Sequence, residues 1–422
     1  MKQWTWKVIL LLLLITSTLP TTTAQETTPP PSIPEAPPQP PSDISPPLYA
    51  ATASPTALDL APLKAVLLVG PIDGNDGSWT QTEIANMELA AAELETHNVT
   101  IYRFYPGDSD RDQIEQAADG AHFLLYRGHG VYDGNLPHPN VGGFSLSSGY
   151  YSPSDIRDNL HLAPEAIVML YGCFTAGSSS AEGDRYDIGI TEAGRRVAQY
   201  SDPFFDIGAA GYYANWFGDA FEQFLTNLFA GQTLGEAYEN YFDFNSSTVY
   251  RTTHPDHPEM AMWVDKDNWG YWKYNNAFVG RSDQTLEDIF PPDELGGIST
   301  SLIFTATVEG GVQLQPASYV VTPQNIGSDT NLEWTLTTEG NWFTVAPSSG
   351  ATPETFTITP QSFDTSRPGV YVGVVTTTVT APADVVNPVQ RTDLTLRVFA
   401  PELAELPTAL TFVYSNVDAE FL

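Results

Sequence analysis

The chain has 422 residues, with 17 basic and 51 acidic side chains and a formal net charge of −34 at pH 7. A surface this negative disfavours binding to nucleic acid or to anionic membranes and favours solubility. The length suffices for two or three domains, and 42% hydrophobic residues can build sizeable cores.

Residues 1–24 have the pattern of a secretory signal peptide. Lys2 and Lys7 form its positive region, residues 8–15 are apolar but too short to span a bilayer, and Thr-Thr-Ala at 22–24 offers a cleavage site. A retained membrane anchor is the alternative. Cleavage at this site leaves no apolar run of spanning length, so we expect a secreted or cell-surface protein without a membrane span.

Residues 25–62 are rich in Pro and Thr and predict an extended linker that acts as a spacer. Residues 63–290 then alternate between short apolar runs and amphipathic segments, which is typical of an α/β domain with a mainly parallel sheet flanked by helices. We expect strands at residues 64–70, 99–105, 122–126, 166–170, 204–213 and 276–280. We expect helices at residues 80–95, 110–118, 191–200, 217–229 and 234–241. The aromatic segment 245–274 has no clear period and predicts a capping insertion.

Residues 298–400 differ in composition and pattern: they are rich in Thr and Val, which alternate with other residues between frequent turns. This predicts an all-β, antiparallel immunoglobulin-like sandwich. Its expected strands are 332–336, 342–345, 355–358, 370–379 and 393–399. Residues 408–412 resemble residues 301–304, so residues 401–422 are expected to begin a second, truncated β module.

Two apolar runs of the α/β region stop at small-residue turns that carry reactive side chains. His129 lies between Gly128 and Gly130, and Cys173 follows Gly172. Because the carboxyl ends of neighbouring parallel strands meet at one sheet edge, we expect the imidazole and the thiol to lie close together. Cys173 is the only cysteine, so it forms no internal disulfide and is either an inert buried thiol or a reactive one.

An imidazole beside a thiol can accept its proton and return it to a leaving group, which typically contributes about 10²- to 10⁴-fold in rate. The backbone N–H groups of Gly130 and Cys173 are the natural donors for an oxyanion hole. The alternative is that His129 merely ends a strand. No Gly-x-Ser-x-Gly motif occurs, which argues against a serine hydrolase.

An apolar strand ending in His-Gly, followed by one ending in a small residue and Cys, resembles the caspase–gingipain clan of cysteine peptidases. Tyr-Gly-Cys-Phe-Thr-Ala-Gly at 171–177 is similar to the Ser-Ala-Cys-x-Thr-Ala pattern of CHAT domains, which belong to that clan. Segments 205–212, 221–225 and 228–237 resemble the strand and helices after the clan's nucleophile. The resemblance covers residues 63–280. It implies a caspase-like fold, with His129 as base, Cys173 as nucleophile and the Gly130 N–H in the oxyanion hole.

Peptidases of this clan recognise the residue before the scissile bond in a pocket beside the catalytic histidine and cysteine. The arginines with which caspases read aspartate are not evident in the loop at 71–79, which carries Asp73 and Asp76 instead. Trp216 and Asp219 follow the expected fifth strand. We therefore predict that these four residues bind substrate and select Arg or Lys. For each aspartate, the alternative is a solvated loop residue.

Residues 341–353 and 356–360 resemble BACON-type, immunoglobulin-like bacterial domains, which are linked with carbohydrate or mucin attachment. A surface polysaccharide is the implied ligand, and a spacer role is the alternative. His254 and His257 could bind a metal, but the prolines beside them disturb the geometry, so no metal or cofactor is predicted.

The sequence thus predicts a secreted or cell-surface cysteine endopeptidase that hydrolyses protein or peptide substrates. The alternative is a non-catalytic surface-interaction or carbohydrate-binding protein on a caspase-like scaffold.

Overall fold

The computed structural model describes residues 60–107, 110–182, 187–266, 273–328, 330–383 and 385–400. The predicted signal peptide, residues 25–59 of the predicted linker and the predicted second β module lie outside the described residues. Within the described ranges, no helix combines the length and the apolar character that crossing a membrane requires.

The first part of the chain alternates strands and helices, as predicted. Its strands are β1 (Lys64–Val69), β2 (Thr100–Phe104), β3 (Phe123–Arg127), β4 (Tyr132–Asp133), β5 (Asn140–Val141), β6 (Phe144–Leu146), β7 (Gly149–Tyr151), β8 (Ile167–Tyr171), β9 (Gly211–Asn215), β10 (Val249–Thr253), β11 (Ala261–Lys266) and β12 (Tyr274–Gly280). Its helices are α1 (Ser78–Thr96), α2 (Arg111–Ala118), α3 (Pro153–Asn159), α4 (Ile190–Asp206), α5 (Ala220–Phe229), α6 (Leu234–Glu239) and α7 (Leu286–Ile289).

Eight strands form one mixed sheet in the order β10-β11-β12-β9-β8-β3-β1-β2. Strands β2, β1, β3, β8 and β9 are parallel, whereas β12, β11 and β10 continue the sheet in antiparallel fashion. The parallel part has a doubly wound order whose direction reverses between β1 and β3. This confirms the α/β class expected from the sequence.

Helices cover both faces of the sheet, which explains why its central strands read as continuous apolar runs. In β1, Ala65 and Leu67 face a core shared with α1, α5 and α6. Val66 and Leu68 face the opposite core, shared with α2, α3 and α4. The parallel strands run in the same direction between these two cores. Their carboxyl ends therefore lie together at one edge of the sheet.

Two expectations are wrong. Residues 204–213 are not one strand: α4 runs to Asp206, Gly208 turns the chain at φ +92°, and β9 begins at Gly211. Phe204 and Phe205 are buried from the last turn of the helix, and a short apolar run does not distinguish a buried helix end from a strand. Segment 245–274 is not simply a capping insertion, because β10 and β11 within it extend the main sheet.

The second part is rich in strands, and all five strands expected there are present. The elements are β13 (Leu295–Gly296), β14 (Ser301–Val308), β15 (Val312–Gln315), β16 (Tyr319–Val321), β17 (Gln324–Asn325), β18 (Glu333–Glu339), β19 (Phe343–Ala346), β20 (Ser349–Ala351), β21 (Phe356–Pro360), β22 (Gly369–Ala381) and β23 (Val389–Phe399).

A six-stranded sheet, β15-β14-β23-β22-β18-β20, packs on a three-stranded sheet, β16-β21-β19. Phe304, Trp334, Trp342 and Phe356 are buried in the shared core. The pairing is not wholly antiparallel as expected, because β14 and β23 run parallel.

Candidate functional site

The turns that carry His129 and Cys173 lie side by side. Strands β3 and β8 pair in parallel as far as Arg127 and Tyr171, so each reactive residue is the second one beyond its strand. The Gly128 N–H donates to the Tyr171 carbonyl oxygen across 3.1 Å. A Cβ added at Gly130 would clash with the Cys173 carbonyl group, so glycine is required for this approach. The structure therefore brings the two turns into backbone contact.

The ring of His129 is oriented by the loop after β1. Its Nε2 lies 3.0 Å from the carbonyl oxygen of Ile72, which only a protonated Nε2 can satisfy. The other nitrogen, Nδ1, is buried and makes no hydrogen bond to any residue in the described ranges. Because Nε2 carries the proton, Nδ1 of the neutral ring presents a lone pair. This is the state required of a general base.

Two buried tyrosines fix the backbone of this histidine turn. The Tyr126 hydroxyl donates to the carbonyl oxygen of His129 across 2.8 Å. The Tyr200 hydroxyl accepts the Val131 N–H at 3.0 Å and donates to the carbonyl oxygen of Gly143 at 3.0 Å. The histidine turn is therefore held from within the core rather than by solvent-exposed contacts.

The thiol of Cys173 is covered in this structure. The residue is 1% exposed, and its Sγ lies 3.4 Å from the Ser180 hydroxyl. Burial raises the pKa of the Cys173 thiol, although hydrogen bonds from Ser180 and Ser179 act in the opposite direction. At neutral pH the group is consequently a thiol rather than a thiolate.

The chain after Cys173, residues 174–182, is anchored at several points. Phe174 adopts a left-handed φ of +70°, an unfavourable conformation for a side chain with a Cβ. The Ser178 N–H donates to the carbonyl oxygen of Tyr274 at 2.9 Å, and Tyr212 donates its hydroxyl proton to the carbonyl oxygen of Thr175 at 2.8 Å. These contacts hold the segment against β9 and β12, over the thiol.

A buried ion-pair network holds the end of this segment, and sequence reasoning missed it. Arg196 is fully buried and donates to Glu182 at 2.6 and 2.8 Å and to Glu192 at 2.7 Å. It also donates to the carbonyl oxygens of Gly177 at 3.0 Å and Pro137 at 2.7 Å. Glu192 and Arg196 are four residues apart on a predicted helix, a spacing that favours an ion pair. That spacing does not indicate that the pair is buried.

Of the predicted substrate-binding residues, only Trp216 lies beside the cysteine. It lines a cavity of about 10 Å³ together with Gly172, Cys173, Thr175, Ala176, Ser178, Asn215, Tyr274 and Asn275. That volume is enough for about one water molecule. None of the three predicted aspartates lines this cavity.

The three aspartates have separate surroundings. Asp73 caps α1, accepting the N–H groups of Thr80 at 3.1 Å and Trp79 at 3.2 Å. Burial alone would raise the pKa of Asp73, but these hydrogen bonds outweigh it and lower the pKa. Asp219 accepts the hydroxyl proton of Tyr241 at 2.9 Å. Asp76 is exposed in the loop before α1.

The sequence also gave no indication of two buried asparagines near the cavity. Asn215 and Asn276 are opposite one another in the β9–β12 pairing, and each is 1% exposed. The Nδ2 atom of Asn215 and both polar side-chain atoms of Asn276 make no hydrogen bond within the described part of the chain. Of these two asparagines, Asn215 lines the cavity and Asn276 does not.

No family model matches the sequence, and no curated protein matches it. Among solved structures, the chain is similar to a short-chain flavodoxin associated with a bacterial microcompartment, at 14% identity and TM-score 0.21, over 35% of this chain and 77% of that one. It is similar to the Escherichia coli chaperone DraB at 13% identity and TM-score 0.18, over 27% and 57%.

A third similar structure is the Bacteroides ovatus GH5 xyloglucanase, at 14% identity and TM-score 0.19, over 26% of this chain. The chain spans about a fifth of that enzyme's length, since the match covers 20% of it. None of the three is described as a cysteine peptidase. Likenesses this distant carry no argument about function.

Proposed function

We propose that the protein is a cysteine endopeptidase in which Cys173 is the nucleophile and His129 the general base. The observation that carries this proposal is the orientation of His129 beside the cysteine turn. Its Nε2 is committed to Ile72, and Nδ1 is buried without a hydrogen-bond partner among the described residues. The resemblance of both turns to the caspase–gingipain clan supports a peptide as the substrate.

In the proposed reaction, the S–H proton of Cys173 passes to Nδ1 of His129 and Sγ attacks the scissile carbonyl carbon. The N–H groups of Gly130 and Cys173 donate to the resulting oxyanion. The imidazolium, stabilised by the Nε2–H bond to Ile72, then protonates the departing amine. Water, deprotonated by His129, then attacks the carbonyl carbon of the thioester. The C–S bond breaks, the acid is released, and the imidazolium returns the proton to Sγ of Cys173.

Substrate access requires a rearrangement, because Cys173 is 1% exposed and contacts Ser180. The segment at 174–182 is the cover that must move. Displacing it would expose the thiol and remove part of the desolvation that raises its pKa. Activity is therefore expected only in a more open state than the one described.

The hypothesis that the substrate carries Arg or Lys before the scissile bond now depends on Asp76. Asp73 caps a helix, and Asp219 is bonded to Tyr241. The four residues predicted to bind substrate therefore differ in their surroundings. Trp216 lies beside the thiol, Asp73 and Asp219 make structural hydrogen bonds, and the exposed Asp76 makes none within the described residues.

The test uses the chain from residue 25 onward, incubated with a mixed peptide library and read by mass spectrometry. Cys173→Ala and His129→Ala should abolish cleavage, whereas His161→Ala, at an exposed histidine outside the site, should retain it. Cleavage by the Cys173→Ala variant at the parent rate would contradict the proposal.

A second candidate is a non-catalytic interaction protein on the same scaffold. The burial and raised pKa of Cys173 favour it, because both are typical of an inert structural cysteine. The strand-rich part, similar in sequence to BACON domains, would then bind a surface polysaccharide. Retention of the chain by a polysaccharide affinity gel, with no cleavage by the parent protein, would favour this candidate.

We also propose, from the signal-like amino terminus, that the protein is secreted or displayed at the cell surface. Expression of the full chain followed by fractionation tests this. Recovery in the medium or at the surface, with a mature amino terminus near Gln25, is expected. Retention inside the cell with Met1 intact would contradict it.

A further inference from the structure

A cavity of about 930 Å³ lies between the α/β part and the strand-rich part. On one side its walls are the segments that lead into β1, β3 and β8, together with the end of α7. On the other side they are the turn around Ile326 and Pro382. The cavity is therefore at the amino ends of the parallel strands, opposite the sheet edge that carries His129 and Cys173. Its volume is in the range of pockets that bind small molecules, which are common at boundaries between domains.

The walls of this cavity offer an apolar surface. Leu162, Ile289 and Phe290 line it, and each is at most 9% exposed. Prolines from four separate segments also line it: Pro62, Pro164, Pro291 and Pro382. Ile326 is part of the wall as well but remains 58% exposed. An apolar ligand body would remove this side chain from water, which is a favourable change.

The charged residues of the walls are all of one sign. Four acidic residues line the cavity and, among the described residues, no lysine or arginine does: Asp119, Glu165, Asp288 and Asp293. Glu165 is paired with Arg281, whereas the other three make no ion pair within the described ranges. Lys64 donates to the main-chain carbonyl oxygen of Asp119 at 2.7 Å, and not to its carboxylate. Burial, followed by Lys64, lowers the pKa of the wall residue His122 to about 4, so this histidine adds no positive charge at neutral pH.

Asp293 gives the wall a buried acceptor without a donor. The residue is 2% exposed, and its Oδ1 accepts from Nδ2 of Asn325 at 2.7 Å and from the hydroxyls of Ser328 and Thr330. Burial alone would raise the pKa of Asp293, but these hydrogen bonds outweigh it and lower the pKa. All three bonds use Oδ1, so Oδ2 makes no hydrogen bond within the described residues. Leaving a buried charged oxygen without a donor is costly, and a cation in the cavity would supply one.

Asp288, in α7, has a similar arrangement. Its Oδ2 accepts the N–H and the hydroxyl proton of Thr285, each at 2.8 Å, and these bonds lower the pKa of the Asp288 carboxyl. Its Oδ1 makes no hydrogen bond in the described part of the chain. The cavity walls thus contain two ionised carboxylates, each with one oxygen hydrogen-bonded and the other unpaired.

The chain itself offers no segment of opposite charge. Residues 25–59, which precede Ala61 in the cavity wall, include four acidic residues and no lysine or arginine. Residues 401–422 also include four acidic residues and neither basic type. A second copy of the chain carries a net charge of −34. Charge complementarity therefore favours a separate, positively charged molecule.

We propose that this cavity binds a small organic cation, in which a primary amine or a guanidine is attached to an apolar body. The cationic group donates to Oδ2 of Asp293, Asp288 adds to the attraction, and the apolar body lies against Ile326 and Phe290. The site is separate from the His129–Cys173 site, and its occupation does not depend on peptide cleavage.

The test is a calorimetric titration of the chain from residue 25 onward with 4-phenylbutylamine. The comparison ligands are 4-phenylbutyric acid and 4-phenylbutanol, which have the same apolar body with a negative charge and with no charge. We expect the amine to bind with a millimolar or lower Kd, at least about 10-fold more tightly than either comparison ligand. Asp293→Asn should weaken amine binding at least about 10-fold, and Asp288→Asn and Ile326→Ser at least about 3-fold each. The last two positions are exposed, so these variants are expected to fold and decide the question even if Asp293→Asn does not.

Matched variants outside the cavity complete the experiment. Asp283→Asn replaces an exposed aspartate, and Val372→Ser replaces an exposed apolar side chain of the strand-rich part; neither residue lines the cavity, and both variants should bind the amine like the parent. Asp76→Ala should also leave the affinity unchanged, because Asp76 belongs to the proposed substrate site.

Three outcomes would overturn the proposal. The first is that the amine does not bind at millimolar concentration, and the second is that the amine, the acid and the alcohol bind alike. The third is that Asp76→Ala weakens amine binding whereas Asp288→Asn and Ile326→Ser do not, since the amine would then occupy the substrate site instead.

Discussion

The Tyr126 hydroxyl donates to the carbonyl oxygen of His129 from inside the core, across 2.8 Å. Tyr126→Phe leaves that carbonyl without its donor, and we expect a loss of about 1–3 kcal/mol of stability in urea unfolding. Because the histidine turn is loosened, the cleavage rate should also fall and its pH profile should change.

The matched control is Tyr213→Phe. Tyr213 is equally buried and donates to the carbonyl oxygen of Leu234 at 2.8 Å, on the opposite face of the sheet. It should lose similar stability but keep the parent pH profile. If both variants alter cleavage in the same way, Tyr126 has no specific positioning role.

Removal of Arg196 should be among the most damaging single changes. Arg196→Met leaves Glu182 buried without its guanidinium partner and removes one of the two guanidinium partners of Glu192. Breaking a buried pair in this way typically costs about 3–5 kcal/mol. Arg195→Met, which removes a partly exposed partner of the same Glu192, should cost about 1 kcal/mol or less. Chemical denaturation of both variants measures the difference, and equal losses would contradict a special role for the buried network.

The same network predicts a pH dependence. Burial alone would raise the pKa of Glu192, but hydrogen bonds from Arg195, His138 and Arg196 outweigh it and lower the pKa from 4.5 to about 2. A lowered carboxyl pKa contributes stability above about pH 4.5 that is lost as the pH falls towards 2. Melting temperatures between pH 6 and 2 should therefore fall less steeply in Glu192→Gln than in the parent, and parallel curves would contradict the assignment.

The thiol of Cys173 should react slowly in the folded protein. Because it is buried and its pKa is raised, a disulfide reagent at pH 8 should label it much more slowly before urea unfolding than after. Ser147→Cys in a Cys173→Ala background places a thiol at an exposed position and should label at once. Rapid labelling of native Cys173 would show that residues 174–182 do not cover it in solution.

The two aspartates of the loop before α1 should behave differently. Asp73→Ala removes the carboxylate that accepts two N–H groups of the first turn of α1, and it should lower the unfolding midpoint without changing cleavage preference. Asp76→Ala should leave the unfolding midpoint unchanged and reduce cleavage after Arg or Lys. A library profile in which Asp73→Ala alone changes selectivity would reverse these assignments.

The parts of the fold that could be predicted have strong local signals. Strands β1, β3 and β8 are continuous apolar runs, and the glycines beside His129 and Cys173 mark where two of them end. Parallel pairing then places both turns at one edge. The α/β class with a mainly parallel sheet follows from alternating strands and helices, even without the exact boundaries.

What could not be predicted depends on contacts between distant segments. Glu182 and Arg196 are charged residues that sequence patterns assign to the surface, yet each is at most 4% exposed as a side chain because the two satisfy one another. Strand β10 has exposed and half-buried positions in no fixed alternation, which conceals its pairing with β11. The dual contact of Asp202 and Asp206 with Arg157 and His257 combines residues from three separate elements.

The parallel pairing of β14 with β23 has a mechanical consequence. The two strands flank the strand-rich part, and seven residue pairs, from Ser301–Asp393 to Thr307–Phe399, join them. Because the strands run in the same direction, the chain enters at one end of the pair and leaves at the other. A force pulling the two ends of this part apart would act along both strands. It would shear the hydrogen bonds between β14 and β23 all at once instead of breaking them one after another. The parallel pairing is thus expected to give the strand-rich part resistance to forced extension.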